Sequence, residues 1–352
     1  MQRGNLLILV LNRQISKIND MRVLITRELP QAGLNILRQY RDLELDYRQG
    51  PPLSQEKLCE AVKGVDAIVP VIPDQINKKV IDAAGKNLKV IATYSVGFDN
   101  IDVYTATKKG IYVANTPGNL TEAVAEHAFA LMMSIARRVP EADRYCRNKK
   151  YKYWDPMMLV GSKLSEKTIG IVGFGRIGQH LGRMARYGLN MKILYSDVVA
   201  YPEAENLLDA EKVTLDYLLE NSDVVSIHCN LCDDTTHLID TSQFNKMKPL
   251  AYLINTARGS IVDESALVTA LKEGIIAGAA LDVFENEPKI HPELLKMENV
   301  ILTPHIASAT WEARIQMARM AAENVVDVLV NKKAPRYIVN KELLKEKVSS
   351  IM

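Results

Sequence analysis

The run from Thr168 to Gly178, TIGIVGFGRIG, constrains this chain more than any other segment. An apolar β-type stretch enters a Gly-x-Gly-x-x-Gly turn and leaves as a helix. Gly173 permits the tight turn, Gly175 lets the backbone approach a pyrophosphate, and Gly178 lets the helix pack close to the strand. The helix beginning near Arg176 offers unpaired N–H groups and a positive dipole end to phosphates. A glycine triplet alone is weak evidence, and here its flanks strengthen it. A second β-type run, Met191–Tyr195, ends in Ser196-Asp197. Asp197 falls about twenty residues past the last glycine, where a carboxylate can accept hydrogen bonds from an adenosine ribose.

Asp197 also bears on cofactor choice, because NADP carries a 2′-phosphate where NAD has a hydroxyl. Two unit charges ~4 Å apart repel by ~4 kcal/mol at an effective dielectric near ~20. The following residues, Val198-Val199-Ala200-Tyr201, supply no cation to relieve that repulsion. The expected cofactor is NAD, with NADH preferred over NADPH.

The chain has 352 residues, enough for two ordinary domains. It carries 24% charged residues and a net charge of +2, with the basic residues scattered, which gives no reason to invoke nucleic acid. No apolar run reaches the length of a membrane span. Leu6–Leu11 is apolar but short and runs into Asn12-Arg13-Gln14 rather than a small-residue cleavage site. Residues 1–20 are therefore read as an N-terminal extension rather than a signal peptide, with Met21 a candidate native start. The four cysteines, Cys59, Cys146, Cys229 and Cys232, are too few and too irregular for a disulfide framework. Cys229-Asn230-Leu231-Cys232 invites a metal or redox reading, with His228 and His237 nearby, but a structural zinc site needs a second ligand pair. No metal is expected, and a reducing cytoplasm is the default.

From Met21 to about Pro117, strand patterns at Val23–Thr26, Ala67–Val71, Leu88–Thr93 and Ile111–Ala114 alternate with helical patterns at Ala32–Tyr40, Gln55–Val62, Asn77–Ala84 and Val103–Lys109. The rhythm recurs from Leu164 to about His305, with strands near 168–173, 191–195, 223–227, 251–255, 278–282 and 300–303. Such βα alternation implies parallel sheets covered on both faces. Two long helical patterns, Thr121–Arg138 and Trp311–Asn331, read as connectors, so the chain is expected to return to its first domain. The competing arrangement is two tandem domains with one linker.

In open α/β sheets ligands collect at the carboxyl ends of the strands. Three strand ends there are unusual: Asn255-Thr256-Ala257-Arg258-Gly259, Leu281–Pro288 and Thr303-Pro304-His305-Ile306-Ala307. Singly, each has a plain explanation: a surface arginine, a solvated turn glutamate, a structural histidine. Together they supply a guanidinium fork for a carboxylate, an acid and an imidazole. Hydride transfer to a carbonyl needs a proton donor, and histidine suits neutral pH. A carboxylate beside an imidazole favours the protonated form.

At this point the chain resembles the D-isomer-specific 2-hydroxyacid dehydrogenases from Met21 to about Asn340. The segments that carry the likeness are Tyr94–Asp102 (YSVGFDNID), Asn115–Gly118 (NTPG), Gly173–Gly178, Asn255–Gly259, Leu281–Pro288 and Thr303–Ala307. Trp154-Asp155-Pro156 and Thr303–Thr310 (TPHIASAT) are similar to the glyoxylate/hydroxypyruvate reductase branch. The resemblance implies two doubly wound parallel-sheet domains. A Rossmann NAD-binding domain would span 119–307, and a flavodoxin-like substrate-binding domain would comprise 21–118 and 308–340.

It also implies roles. Arg258 would bind the substrate carboxylate, His305 would donate the proton, and Glu287 would hold and polarise His305. The backbone N–H groups of Val96 and Gly97 would complete the carboxylate site. Cofactor contacts would come from Gly173, Gly175, Arg176, Ile177, Gly178, Asp197, Thr121, His228, Cys229, Thr235, Thr256, Ala257, Asp282 and His305, with Asp282 on the nicotinamide amide. The loop His228–Thr236 departs from the proline-containing form of many relatives, which leaves its contacts less defined. The family works as homodimers joined through the nucleotide domains, with a hinge that closes on substrate.

The expected activity is reduction of small 2-keto acids, glyoxylate or hydroxypyruvate, to 2-hydroxy acids of D configuration where chiral. The alternatives are D-3-phosphoglycerate, D-lactate or formate dehydrogenase of the same fold. From a different class comes a non-catalytic NAD(H) sensor of the corepressor kind, against which the complete Arg258, Glu287 and His305 set argues.

Overall fold

The computed structural model describes residues 21–118 and 120–344; the N-terminal extension expected over residues 1–20 lies outside them. The described residues fall into two compact units, 21–118 with 311–344, and 120–310.

The first unit holds five strands: β1 (Met21–Ile25), β2 (Leu43–Tyr47), β3 (Ala67–Val69), β4 (Val90–Ala92) and β5 (Tyr112–Ala114). All pair in parallel, in the order β2-β1-β3-β4-β5, the flavodoxin-like winding. Strands β3, β4 and β5 are buried along their whole length, as continuous apolar runs in a parallel sheet must be. Helices Gln55–Ala61, Lys78–Ala84 and Val103–Lys108 start where Ser54, Asn77 and Asp102 accept the N–H of Lys57, Val80 and Thr105. The chain's last described stretch returns to β5: Val339 N–H donates to Val113 O at 2.8 Å, and Asn340 accepts Val113 N–H at 2.9 Å.

The second unit holds seven parallel strands: β6 (Thr168–Val172), β7 (Lys192–Ser196), β8 (Ala210–Lys212), β9 (Val224–Ile227), β10 (Tyr252–Asn255), β11 (Gly278–Leu281) and β12 (Val300–Leu302). Their order is β12-β11-β10-β9-β6-β7-β8. The winding runs outward from β6 through β7 to β8, then crosses back to β9 on the other flank. The switch point lies between β6 and β9, which is the Rossmann arrangement. Alternate side chains feed two cores, Ile169, Ile171 and Ile193 on one face and Val172, Leu194 and Val225 on the other. Both faces are therefore covered, which the strand sequences foretell by lacking polar alternation.

The register of this sheet matters most for function. Leu302 pairs with Leu281, Leu281 with Asn255, Asn255 with Ile227, Ile227 with Val172, and Val172 with Ser196. Those residues form one straight rung at the carboxyl edge. Immediately past it come Thr303, Asp282, Thr256, His228, Gly173 and Asp197.

Two strands have no counterpart in the sequence reading, β2 and β8. Both are sheet edges, and their LELDY and AEK sequences leave much of each strand exposed, so the apolar run is missing. Elsewhere the ends differ by local chemistry. Strand β3 stops at Val69 because Pro70 follows and cannot donate to a ladder. The helix read as Thr121–Arg138 ends at Ala136, with Arg138 in the left-handed region at φ 53°.

Candidate active site

The glycine loop begins one residue past the rung. Gly173 has φ +89°, and a Cβ there would sit 2.4 Å from Cys229 N, so only glycine passes beneath the 228–229 backbone. Gly175 has a different reason. A Cβ built on it meets nothing within 4 Å, so its surface faces open space at the start of the helix Arg176–Leu189. That unfilled cradle above a helix N-terminus fits the phosphates of a dinucleotide. Gly178 sits with Gly173 O only 2.4 Å from where its Cβ would be, and Ile177 is half-buried beside it. Thr121 and Arg176 line a common cavity of about 320 Å³ with Gln179, His180 and Arg183.

Asp197 makes bonds within the protein that its spacing did not foretell. Its Oδ2 accepts Phe174 N–H at 2.7 Å and its Oδ1 accepts Val199 N–H at 3.0 Å. The carboxylate thus latches the glycine loop to the end of β7. Beneath the latch the Phe174 and Tyr195 rings stack at 4.2 Å. Burial, with the Glu205 bond to its hydroxyl second, pushes Tyr195 up to about 12.

Just past β9, His228 Nε2 bonds Ser226 Oγ at 2.8 Å, and burial pushes the imidazole down to about 4. Burial also lifts the Cys229 thiol to about 11, which keeps it protonated and a poor nucleophile at neutral pH. Thr235 Oγ1 accepts Cys232 N–H at 2.8 Å and donates to Asn230 O at 2.7 Å, so its hydroxyl closes the 230–235 loop. His237 pairs with Glu285 at 2.8 Å.

The His228 shift has a stability consequence. Its folded pKa lies below the free value of 6.5, so the unfolded chain binds more protons between those two limits. Stability is present above about pH 6.5 and is lost as pH falls toward 4, by about 2 kcal/mol between pH 7.5 and 5. The variant His228→Asn is expected to remove that part of the acid slope. Melting curves of both proteins across this range check it, and parallel curves would exclude the assignment.

Past β10, Asn255 organises the turn: its Oδ1 accepts Ala257 N–H and its Nδ2 donates to Arg258 O at 2.9 Å. Arg258 is half-buried, with Nη1 donating to Ala257 O at 2.7 Å. Gly259 follows with no room for a Cβ, which would fall 1.9 Å from Phe284 C. This close approach presses the Arg258 turn against the loop after β11. Thr256 is 8% exposed, yet its Oγ1 is buried without a hydrogen-bond partner among the described residues. An orphan hydroxyl at this rim fits a cofactor polar group.

The loop after β11 carries Glu287, whose Oε1 accepts Phe284 N–H at 3.0 Å. Its Oε2 meets His305 Nδ1 at 2.8 Å. The carboxylate therefore holds Nδ1–H and turns Nε2 outward. His305 itself adopts φ +54°, a conformation of noticeable cost for a non-glycine residue. Its N–H is tied to Asp282 O at 2.8 Å and Thr303 O at 3.0 Å. Glu264, unmentioned in the sequence reading, is a buried carboxyl that accepts Glu285 N–H at 2.8 Å and steadies the same loop. Burial raises its pKa above the usual carboxylate value.

Asp282 makes bonds within the protein besides its expected nicotinamide contact. It is 0% exposed and accepts Thr303 Oγ1–H at 2.6 Å, Ile306 N–H at 2.9 Å and Ala307 N–H at 2.7 Å. Burial pushes this carboxyl up, but His127, Thr303 and the two backbone donors outweigh it, and the net shift is down. Those three bonds serve the loop that carries His305, while His127, on the helix Thr121–Ala136, approaches the same carboxylate from outside that loop.

In the first unit, Val96 and Gly97 follow β4. Asn115 Nδ2 donates to Val96 O at 2.8 Å and Ser95 Oγ to Gly97 O at 2.6 Å, which fixes the peptide planes there.

A Rossmann sheet whose carboxyl rim carries a glycine loop, an arginine and an imidazole–carboxylate pair defines a nicotinamide-dependent oxidoreductase. The sequence model of the D-isomer specific 2-hydroxyacid dehydrogenase NAD binding domain matches residues 129–307. The chain is 50% identical over 327 residues to a glyoxylate reductase of Korarchaeum cryptofilum, covering 92% of this chain and 97% of the relative. It is 47% identical to a glyoxylate reductase of Thermococcus litoralis, over 92% of this chain and 98% of that one. Among solved structures, the TT0316 protein from Thermus thermophilus matches with a TM-score of 0.85 and 41% identity, covering 91% of this chain and all of that one. An NADPH-dependent glyoxylate/hydroxypyruvate reductase from Sinorhizobium meliloti matches with a TM-score of 0.77 and 29% identity, over 91% and 97% of the two chains. The chain belongs to the D-isomer-specific 2-hydroxyacid dehydrogenase family. It is an oxidoreductase with a nicotinamide-dinucleotide domain, and no helix among the described residues is long and apolar enough to cross a membrane.

Proposed function

We propose that this enzyme reduces glyoxylate to glycolate and hydroxypyruvate to D-glycerate with NADH. The observation that carries the reading is the 2.8 Å bond between Glu287 and His305, on the same sheet rim as Arg258 and the glycine loop. Bound NADH supplies a hydride to the carbonyl carbon. Arg258 grips the substrate carboxylate with its planar fork and so orients the keto group. His305 gives its Nε2 proton to the carbonyl oxygen as negative charge develops there. Glu287 keeps the ring aimed and balances the imidazolium charge. The N–H groups of Val96 and Gly97 are assigned to the same carboxylate, making residues 21–118 with 308–340 the substrate domain and 119–307 the cofactor domain.

NADH is preferred because Asp197 stands where the 2′-phosphate of NADPH would come and no cation follows it. The cofactor's remaining contacts are assigned to Thr121, Gly173, Gly175, Arg176, Ile177, Gly178, His228, Cys229, Thr235, Thr256, Ala257 and Asp282. The enzyme works as a homodimer through the cofactor domain. Tyr151, Tyr153, Trp154, Met157 and Val160 support this, since all are more than half exposed within one short segment. Free thiols at all four cysteines accord with a cytoplasmic setting.

Steady-state oxidation of NADH and NADPH with glyoxylate, hydroxypyruvate, pyruvate and phosphohydroxypyruvate tests the reading. Turnover confined to phosphohydroxypyruvate would refute it. The variant Arg258→Lys keeps charge but loses the fork, and is expected to raise KM for glyoxylate by about tenfold to a hundredfold and lower kcat. NADH affinity is expected to stay within about twofold, since the cofactor does not rely on this fork. Unchanged kinetics would remove Arg258 from the substrate site.

A further inference from the structure

His127 lies on the helix Thr121–Ala136, six residues after Thr121 and far in sequence from Arg258, Glu287 and His305. Its side chain is only 20% exposed. Nε2 stands 3.1 Å from Thr303 Oγ1 and 3.4 Å from Asp282 Oδ1. The proton inventory at this junction is fixed. Asp282, held below the usual carboxylate range, only accepts, so the 2.6 Å bond takes the Thr303 hydroxyl proton. Thr303 Oγ1 is left with lone pairs toward His127. A bare Nε2 would then point its own lone pair at a hydroxyl oxygen and a carboxylate. Nε2 must carry a proton.

The consequence reaches the reacting end of the rim. Asp282 binds the N–H groups of Ile306 and Ala307 with its carboxylate and that of His305 with its main-chain oxygen. Those bonds hold His305 at its positive φ. The carboxylate can hold them only while its own orientation is set, and Thr303 and His127 set it. Thr303 belongs to the same loop. His127 alone among these partners stands on a separate helix, whose Ala125, Ala128 and Ile135 are packed into the core. We infer that His127 is a positioning residue, which anchors the Asp282–Thr303 junction to that helix and thereby fixes where His305 presents Nε2.

This inference rests on His305 being the proton donor. A misplacement of about 1 Å at a reacting group can cost on the order of a hundredfold in rate. The test pairs two variants that differ in reach. In His127→Gln the side-chain amide nitrogen extends to the position of Nε2; in His127→Asn it stops near Nδ1. Expected are a kcat within about threefold of the wild type for Gln, and a loss of about tenfold or more for Asn. KM for glyoxylate should move by less than about threefold in both, because no substrate contact is assigned to this residue. Equal kcat in the two variants at similar melting temperatures overturns the inference. Thr303→Val, which removes the relay oxygen and leaves His127 in place, should show the same fall in kcat at steady KM. Full kcat in that variant overturns the inference whatever happens at 127. ¹⁵N NMR of histidine-labelled wild-type enzyme needs no turnover: a protonated Nε2 on His127 is expected, and an unprotonated one refutes the network. If the wild type oxidises NADH with no keto acid, or His305→Ala retains full turnover, the functional reading falls instead, and the two failures stay separate.

Discussion

The variant His305→Ala is expected to lose about a thousandfold in kcat with glyoxylate, within the roughly 10²–10⁴ range that a positioned general acid contributes. The expectation follows from geometry rather than from the residue type. Glu287 Oε2 holds Nδ1 at 2.8 Å, and Glu287 is itself held by Phe284 N–H, so the ring has one orientation and one outward nitrogen. His305 keeps a left-handed backbone that two carbonyls hold in place. Alanine can occupy that backbone with local strain only, so fold and cofactor binding should survive. NADH titration by fluorescence should give a Kd within about twofold of the wild type. Added imidazole should recover part of the rate by entering the vacated space. A kcat within tenfold of the wild type would mean that water or another side chain donates the proton.

How much of this site could be read in advance depends on the distance over which each signal acts. The glycine loop was legible because the turn, the phosphate approach and the helix start are all local demands on neighbouring residues. That the strand ends carrying Arg258, Glu287 and His305 meet at one edge was legible because a parallel sheet delivers successive strand ends there. The straight rung from Leu302 to Ser196 is the physical form of that rule. His127 was not legible. It is one histidine in a helix without a local pattern, and its partner Thr303 is 176 residues away. The position of Asp282 just past β11 is local information, but its complete burial and loop-holding bonds depend on the 303–307 turn, which no spacing within its own segment encodes. The edge strands β2 and β8 escaped for the opposite reason: exposure on a sheet edge removes the apolar run that marks the interior strands.

The variant Asp197→Asn is expected to cut the preference for NADH over NADPH by about a hundredfold. A carboxylate and a 2′-phosphate charge ~4 Å apart repel by ~4 kcal/mol at an effective dielectric near ~20, a ceiling of about a thousandfold. Asp197 is partly exposed, and solvent screening takes the expected effect below that ceiling. The latch to the glycine loop complicates any simple charge removal. Asparagine keeps one oxygen that can accept Phe174 N–H, but its amide cannot accept Val199 N–H as the second carboxylate oxygen does. Part of the NADH activity should therefore be lost while NADPH activity rises. Serine is too short to reach Phe174 N–H, so Asp197→Ser should weaken both cofactors together through the loop. Adding Val198→Arg to Asp197→Asn places a cation at a side chain that is 97% exposed, and should raise kcat/KM with NADPH further. The comparison separates the charge from the latch: Asn moves the two cofactors in opposite directions, and Ser moves them in the same one. An NADPH kcat/KM that stays at the wild-type value in Asp197→Asn would mean that this carboxylate serves the loop and does not choose the cofactor.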